Sequence, residues 1–136
     1  MFLGTYTHTL DGKGRVVMPS GFRRDLENGC VVAKGQDGQL VVFAADDFEA
    51  RAADVLTRTQ DRDGRRFSRT VFAGADLQAL DKTGRLLVKP ELREFAGLES
   101  PGEVAVIGVF DHVELWSRAK YEDDSVMGDQ SYREEE

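Results

Sequence analysis

The stretch "DGKGRVVMP" at residues 11–19 recurs as "DKTGRLLVKP" at residues 81–90, and the reading of this pair decides the fold. An aspartate side chain can accept hydrogen bonds from backbone N–H groups just downstream, and glycine adopts positive φ without a steric cost. Asp-x-x-Gly therefore reads as a tight turn. The arginine and apolar run that follow read as a strand, closed by a proline that cannot donate to a ladder but suits the entry to a helix.

Working outward, the similarity extends well beyond the motif. At an offset of 70, Leu10, Asp11, Gly14, Arg15 and Arg23 match Leu80, Asp81, Gly84, Arg85 and Arg93, with the proline displaced by one (Pro19, Pro90). At an offset of 73, Val31, Gly35, Phe43, Phe48 and Glu49 match Val104, Gly108, Trp116, Tyr121 and Glu122. A change of loop length accounts for the difference. Self-similarity of this kind predicts two half-domains of one design, at 1–50 and 75–122.

Each half has the same local grammar. In "FLGTYTHTL", Phe2, Gly4, Tyr6, His8 and Leu10 share one face, a period of two that predicts a strand. "RVVM" continues as strand, "SGFRRDLENG" reads as a short helix with Ser20 as N-cap and Gly29 near its end, and "CVVAKG", "QDGQ", "LVVFA" form a hairpin. The second half follows with "LQAL", "DKTG", "RLLV", "PELREFAG", "EVAVIGV", "FDH" and "VELW". Between the halves, at 51–74, lies a helical connector. "DDFEARAADVLTR" aligns Phe48, Ala52, Val55 and Leu56 behind an Asp46 or Asp47 cap, and "GRRFSRTVFAGA" aligns Phe67, Val71 and Ala75.

At 136 residues the chain has the size of one domain. No apolar stretch approaches the roughly 18 residues of a membrane span, and the N-terminus lacks a charged-then-apolar leader, which predicts a cytoplasmic protein without membrane contact. Cys30, the single cysteine, reads as a small buried hydrophobe. The net charge of −7 is unfavourable for a polyanionic partner, but its distribution is uneven. Residues 122–136 hold seven acids and one base, which predicts a disordered acidic tail over 123–136. Residues 11–24 carry Lys13, Arg15, Arg23 and Arg24 against Asp11, and residues 58–69 carry five arginines against Asp61 and Asp63.

Both Asp-x-x-Gly-Arg motifs, with Arg23 and Arg93 behind them, the opening "MFLG", the "RRFSRTVFAGA" helix and the "VELW" strand together resemble the bacterial MraZ family over about residues 1–122. The resemblance implies a mainly β fold with helices, a double-split, swapped-hairpin AbrB-like β-barrel built as an intrachain pseudo-dimer of two SpoVT-AbrB-like repeats. It further implies a ring-shaped homo-oligomer at the nucleoid that regulates transcription. Its partner would be double-stranded DNA carrying direct repeats, in the promoter of the division and cell-wall gene cluster that includes its own gene.

Physics supplies a reason for the motif. A turn closed by Asp and Gly projects the next arginine from the start of a strand, and its planar fork suits guanine or phosphate. Lys13 and Arg15 are the expected principal DNA contacts and Arg85 a secondary one, with Arg24 and Lys82 as further candidates. Asp11, Gly14, Asp81 and Gly84 are expected to shape the turns, since a carboxylate repels phosphate. Arg23 and Arg93 read either as internal ion pairs with Asp25 and Glu94 or as phosphate contacts. An antitoxin-like protein-interaction module is the competing reading.

Catalysis has little support. His8 and His112 lack a partner cluster with metal spacing; Asp111, His112 and Glu114 are expected to point different ways along a turn and strand. Ser20, Ser68 and Ser117 lie outside any nucleophile elbow, and no Gly-rich loop precedes a helix. No enzyme activity, cofactor, metal or small-molecule substrate is expected.

Overall fold

Alternation of apolar and Thr residues at the start of the chain forms strand β1 (Phe2–Leu10), and the first Asp-x-x-Gly turn leads into β2 (Arg15–Val17), as described by a computed structural model covering residues 1–58 and 60–135. Helix α1 (Ser20–Leu26) and the hairpin β3 (Cys30–Lys34) and β4 (Leu40–Ala44) complete the first repeat. Helices α2 (Ala45–Leu56) and α3 (Arg62–Ala73) intervene. The second repeat supplies β5 (Asp76–Gln78), β6 (Arg85–Leu87), α4 (Pro90–Ala96), β7 (Gly102–Phe110) and β8 (Val113–Ser117), followed by α5 (Arg118–Glu134).

The eight strands form one antiparallel sheet in the order β5-β3-β4-β8-β7-β1-β2-β6. Its logic is exchange between repeats. The first strand of each repeat pairs with the third strand of the other, β1 with β7 and β5 with β3, while β2 pairs with β6 and β4 with β8. Neither half could satisfy its ladder alone. The sheet curls so that its two edges meet through a side chain: Gln78 of β5 donates from Nε2 to the Leu87 carbonyl (2.7 Å) and accepts from the Leu87 N–H at Oε1 (2.9 Å). One amide thus imitates an antiparallel bridge and occupies the donor and acceptor of β6 that an open edge would expose.

One core fills the interior, with both repeats contributing alternately. Leu10, Val16, Met18, Phe22, Leu26, Val32 and Val42 meet Leu86, Val88, Leu92, Val104, Val106 and Leu115. Apolar burial on this scale is the main force holding the halves together. Cys30 lies within this core, and burial pushes its thiol up to about 11.

Several local expectations are corrected. Pro19 occupies the cap position of α1 and Ser20 is already its first helical residue; no side chain caps that end. Ala44, not Asp46 or Asp47, stands at the start of α2; the two acids lie in the first turn, where the helix dipole favours them. Helix α3 begins at Arg62 behind Asp61, whose carboxylate accepts from the Gly64 N–H, and Ala75 lies beyond its end. In α2, Val55 is buried while Leu56 is exposed. The strand anticipated at "LQAL" is shifted to Asp76–Gln78. Residues 123–134, expected to be disordered, continue helix α5. Its start is fixed by Ser117 accepting from the Lys120 N–H, by Tyr121 against the Trp116 ring, and by Arg118 bridging Glu103 and Glu122. Glu136 lies outside the described residues.

The offset of 73 also needs revision at one strand. The ladders β1–β7 and β3–β5 are equivalent only if Cys30 and Val32 take the places of Val104 and Val106 (104 against 30, an offset of 74), and those are the residues facing the core. A slip of one residue exchanges the faces of a strand. For the fourth strands 73 holds, with Phe43 on Phe48 (5.9 Å between centroids) and Trp116 on Tyr121 (5.7 Å) as counterparts.

The turns show how closely the halves interlock. Gly14 has φ +79° and Gly84 φ +76°; a Cβ on Gly14 would overlap the Arg93 guanidinium, and one on Gly84 would overlap Arg23. Gly14→Ala is therefore expected to cost about 2 kcal/mol or more in chemical denaturation, through left-handed strain and the lost clearance. Gly12→Ala, whose Cβ would meet nothing within 4 Å, should change stability by less than about 0.5 kcal/mol. Equal losses would contradict this packing.

Candidate nucleic-acid interface

Each Asp-x-x-Gly-Arg turn is organised by its aspartate. Asp11 Oδ1 accepts from the N–H groups of Lys13 and Arg15 (both 2.9 Å), and its Oδ2 accepts from Arg15 Nε at 2.9 Å. Asp81 Oδ1 accepts from the N–H groups of Thr83 (3.0 Å) and Arg85 (2.9 Å) and from the Thr83 hydroxyl, while Oδ2 accepts from Arg85 Nε at 2.7 Å. One carboxylate thus closes the turn and orients the arginine that follows. The arginine side chains remain 31% and 32% exposed, and no other hydrogen bond or ion pair engages their guanidinium groups among the described residues.

The ladder sets their separation. Arg15 stands opposite Leu87 and Arg85 opposite Val17, with the buried pair Val16 and Leu86 between. The two arginines therefore leave the same face of the sheet as diagonal neighbours, about 7–8 Å apart. The tips differ: Lys13 is exposed in the first turn, whereas Thr83 at the matching position bonds to Asp81 and the exposed Lys82 sits one residue earlier. Arg24 is exposed on α1.

Arg23 and Arg93 serve a different geometry. Arg23 Nε donates to the Met18 carbonyl (3.0 Å) while passing over Gly84, and Arg93 Nη1 donates to the Val88 carbonyl (3.0 Å) while passing over Gly14. The backbone completes the brace: Met18 N–H donates to Gly84 O (2.9 Å) and Val88 N–H to Gly14 O (2.7 Å). Neither arginine forms an ion pair with Asp25 or Glu94, one of the two alternatives drawn from the sequence; Asp25 instead binds the Met1 amine at 3.0 Å. This reciprocal support is not among the expectations drawn from the sequence. Its signal was present in the equal spacing of Gly14 to Arg23 and Gly84 to Arg93.

Asp111, His112 and Glu114, expected to diverge, converge. His112 Nδ1 lies 2.7 Å from Asp111 and Nε2 lies 2.9 Å from Glu114, because the sharp β7–β8 turn folds Asp111 back beside the strand. Glu114 is held in place further by Trp116 Nε1, which donates to its Oε1 at 3.0 Å. Among the described residues no group of three or more His, Cys, Asp or Glu is arranged to hold a metal, and no helix is long and apolar enough to cross a membrane.

Comparison with known proteins agrees with the two-repeat architecture. A family model described as "MraZ protein, putative antitoxin-like" matches residues 1–69 and 71–127. A protein of Nocardioides sp. named "Transcriptional regulator MraZ" is 44% identical over 135 residues, covering 98% of this chain and 92% of that protein. Proteins of the same name from Acetivibrio thermocellus and Corynebacterium diphtheriae are 40% and 43% identical, over 96% and 89% of this chain and 90% and 84% of theirs.

The hydrogen bonds in the turns make a titration prediction. The Arg15 N–H, followed by the Lys13 N–H and the Arg15 side chain, holds the Asp11 carboxyl below its ordinary value of 3.8. The Arg85 N–H and side chain, with Thr83, hold Asp81 lower still. A depressed carboxyl stabilises the fold above its unfolded value, and that contribution is lost as pH falls through the folded value. Carboxyl-carbon NMR titration should give midpoints below 3.8 for both residues. A midpoint at or above 4 for either would contradict the turn geometry.

Proposed function

The chain belongs to the MraZ family, and from that premise we propose that it is a sequence-specific DNA-binding regulator of transcription whose contact surface is the paired Asp-x-x-Gly-Arg turns. Its operator is a set of direct repeats in the promoter of the division and cell-wall gene cluster, its own gene included, and it acts at the nucleoid as a ring of identical subunits. Relatives named as transcriptional regulators support the general activity. The arrangement of Arg15 and Arg85 carries the more specific reading. Each is fixed at Nε by a carboxylate, and both leave one face side by side.

A guanidinium held at Nε is preorganised. Its remaining N–H groups form the fork that pairs with guanine O6 and N7 or with two phosphate oxygens, and less rotamer freedom is lost on binding. Lys13, Lys82 and Arg24 add mobile positive charge around the pair, with Arg23 held close behind. Asp11 and Asp81 remain turn-forming: their charge is compensated by the arginines they orient. Few cations per subunit make single contacts weak. A ring that presents the same turns to successive repeats makes later contacts intramolecular, raising avidity by about 10² to 10⁴.

Gel-shift titration against DNA upstream of the chain's own gene tests this reading. Arg15→Ala should lower affinity at least about tenfold at fixed salt. Arg85→Ala should have a smaller effect, and Lys13→Ala should weaken binding across sequences and flatten the salt dependence. Unchanged affinity in Arg15→Ala, or binding indifferent to salt and to scrambling of the repeats, would overturn the proposal in favour of a protein-interaction role.

A further inference from the structure

Helix α3 has two faces of opposite character. At about 100° per residue, Phe67 and Val71 share the side that packs inward, whereas Arg62, Arg65, Arg66 and Arg69 form one stripe on the opposite side. All four arginines are exposed. Among the described residues only Arg66 has an acidic neighbour within 4.0 Å, Asp63 at 3.9 Å. An amphipathic helix needs a polar outer face, and here that face carries four cations.

On the other side of the same helix lies a cleft of about 550 Å³, bounded by the β3–β4 hairpin, α2, α3 and the β7–β8 turn. Its floor is aromatic: Phe43 stacks on His112 at 5.2 Å between centroids with the rings inclined by 26°, and Phe48 lies beside Phe43. His112 is fixed there by Glu114 and Asp111. The rim carries Asp37, Asp47 and Asp54, none of which has an ion-pair partner among the described residues, against Lys34 and Arg51. A polyanion would be repelled from such a cleft. An arginine side chain suits it, because guanidinium stacks on aromatic faces and forks onto carboxylates.

We propose that the arginine stripe of α3 in one copy of the chain seats in the acidic, aromatic-floored cleft of the next copy. The stripe and the cleft lie on opposite sides of one helix, so a chain cannot satisfy its own and each copy offers one of each. The contact is head-to-tail, the type that closes into a ring when its rotation divides a full turn. The inference rests on the self-association proposed above and assigns the surfaces that produce it. It also gives Arg62, Arg65, Arg66 and Arg69 a role separate from the DNA-facing turns.

Light scattering on the full chain, with circular dichroism as a folding check, tests the assignment by charge exchange. One variant carries Asp47→Arg and Asp54→Arg; the other carries Arg62→Glu and Arg65→Glu. Each alone should fall from the wild-type mass to that of a single chain. An equimolar mixture should recover the multi-subunit mass, since each variant's stripe matches the other's cleft, and misfolded chains could not do so. Wild-type mass retained in both variants would overturn the assignment while leaving self-association intact. A single-chain wild type would overturn self-association itself. Loss of promoter binding by Arg62→Glu and Arg65→Glu at unchanged mass would place the stripe on DNA instead and overturn the contact.

Discussion

The structure depends on a reciprocal brace between the repeats. Each Asp-x-x-Gly turn is covered by a guanidinium from the other repeat's helix, Arg93 over Gly14 and Arg23 over Gly84, and each turn glycine accepts from the other repeat's backbone. The glycine supplies two things at once: a positive φ that closes the turn, and clearance for a planar cation that a Cβ would obstruct. With the turns held from behind, the aspartates can hold the following arginines from the side. Positioning thus passes from helix to turn to exposed side chain with few free torsions.

Fusion of the two repeats allows their outer faces to differ. The cores correspond closely, Val16 with Leu86, Met18 with Val88 and Phe22 with Leu92. The peripheries do not. β1 has nine residues and β5 three, and the deficit is met by the Gln78 side chain at the seam. The hairpin of the first repeat is covered by α2 and α3, whereas that of the second packs Trp116 against Tyr121 at the base of α5. An assembly of separate identical chains would have equal sides. A single chain with unequal sides can present a donor surface and an acceptor surface, which a head-to-tail array requires.

Much of this was legible in the sequence because it arises from local rules. The duplicated motif announced two strand-turn-strand units, alternation in "FLGTYTHTL" announced β1, and the aromatic pairs Phe43/Phe48 and Trp116/Tyr121 appeared as matched positions. The remaining features depend on ladder register and on side-chain contacts that residue type alone does not reveal. The 74-residue equivalence of Val32 and Val106 follows from ladder register, which sequence similarity leaves one residue off. Arg23 and Arg93 have acidic neighbours in sequence, but each instead reaches back to the carbonyl of Met18 or Val88, across the turn glycine of the other repeat. Residues 123–134 were read by charge alone, although the Ser117 cap and the Arg118 bridges begin a helix upstream of them.

The central claim is that the brace holds the turns while their arginines meet DNA, and a crystal structure of the chain bound to its own promoter DNA tests it most directly. The account predicts Arg23 and Arg93 still on the Met18 and Val88 carbonyls, Nε of Arg15 and Arg85 still on Asp11 and Asp81, and their outer N–H groups within hydrogen-bond distance of base edges or phosphates. DNA lying against another face, with Arg15 and Arg85 away from it, would contradict the account.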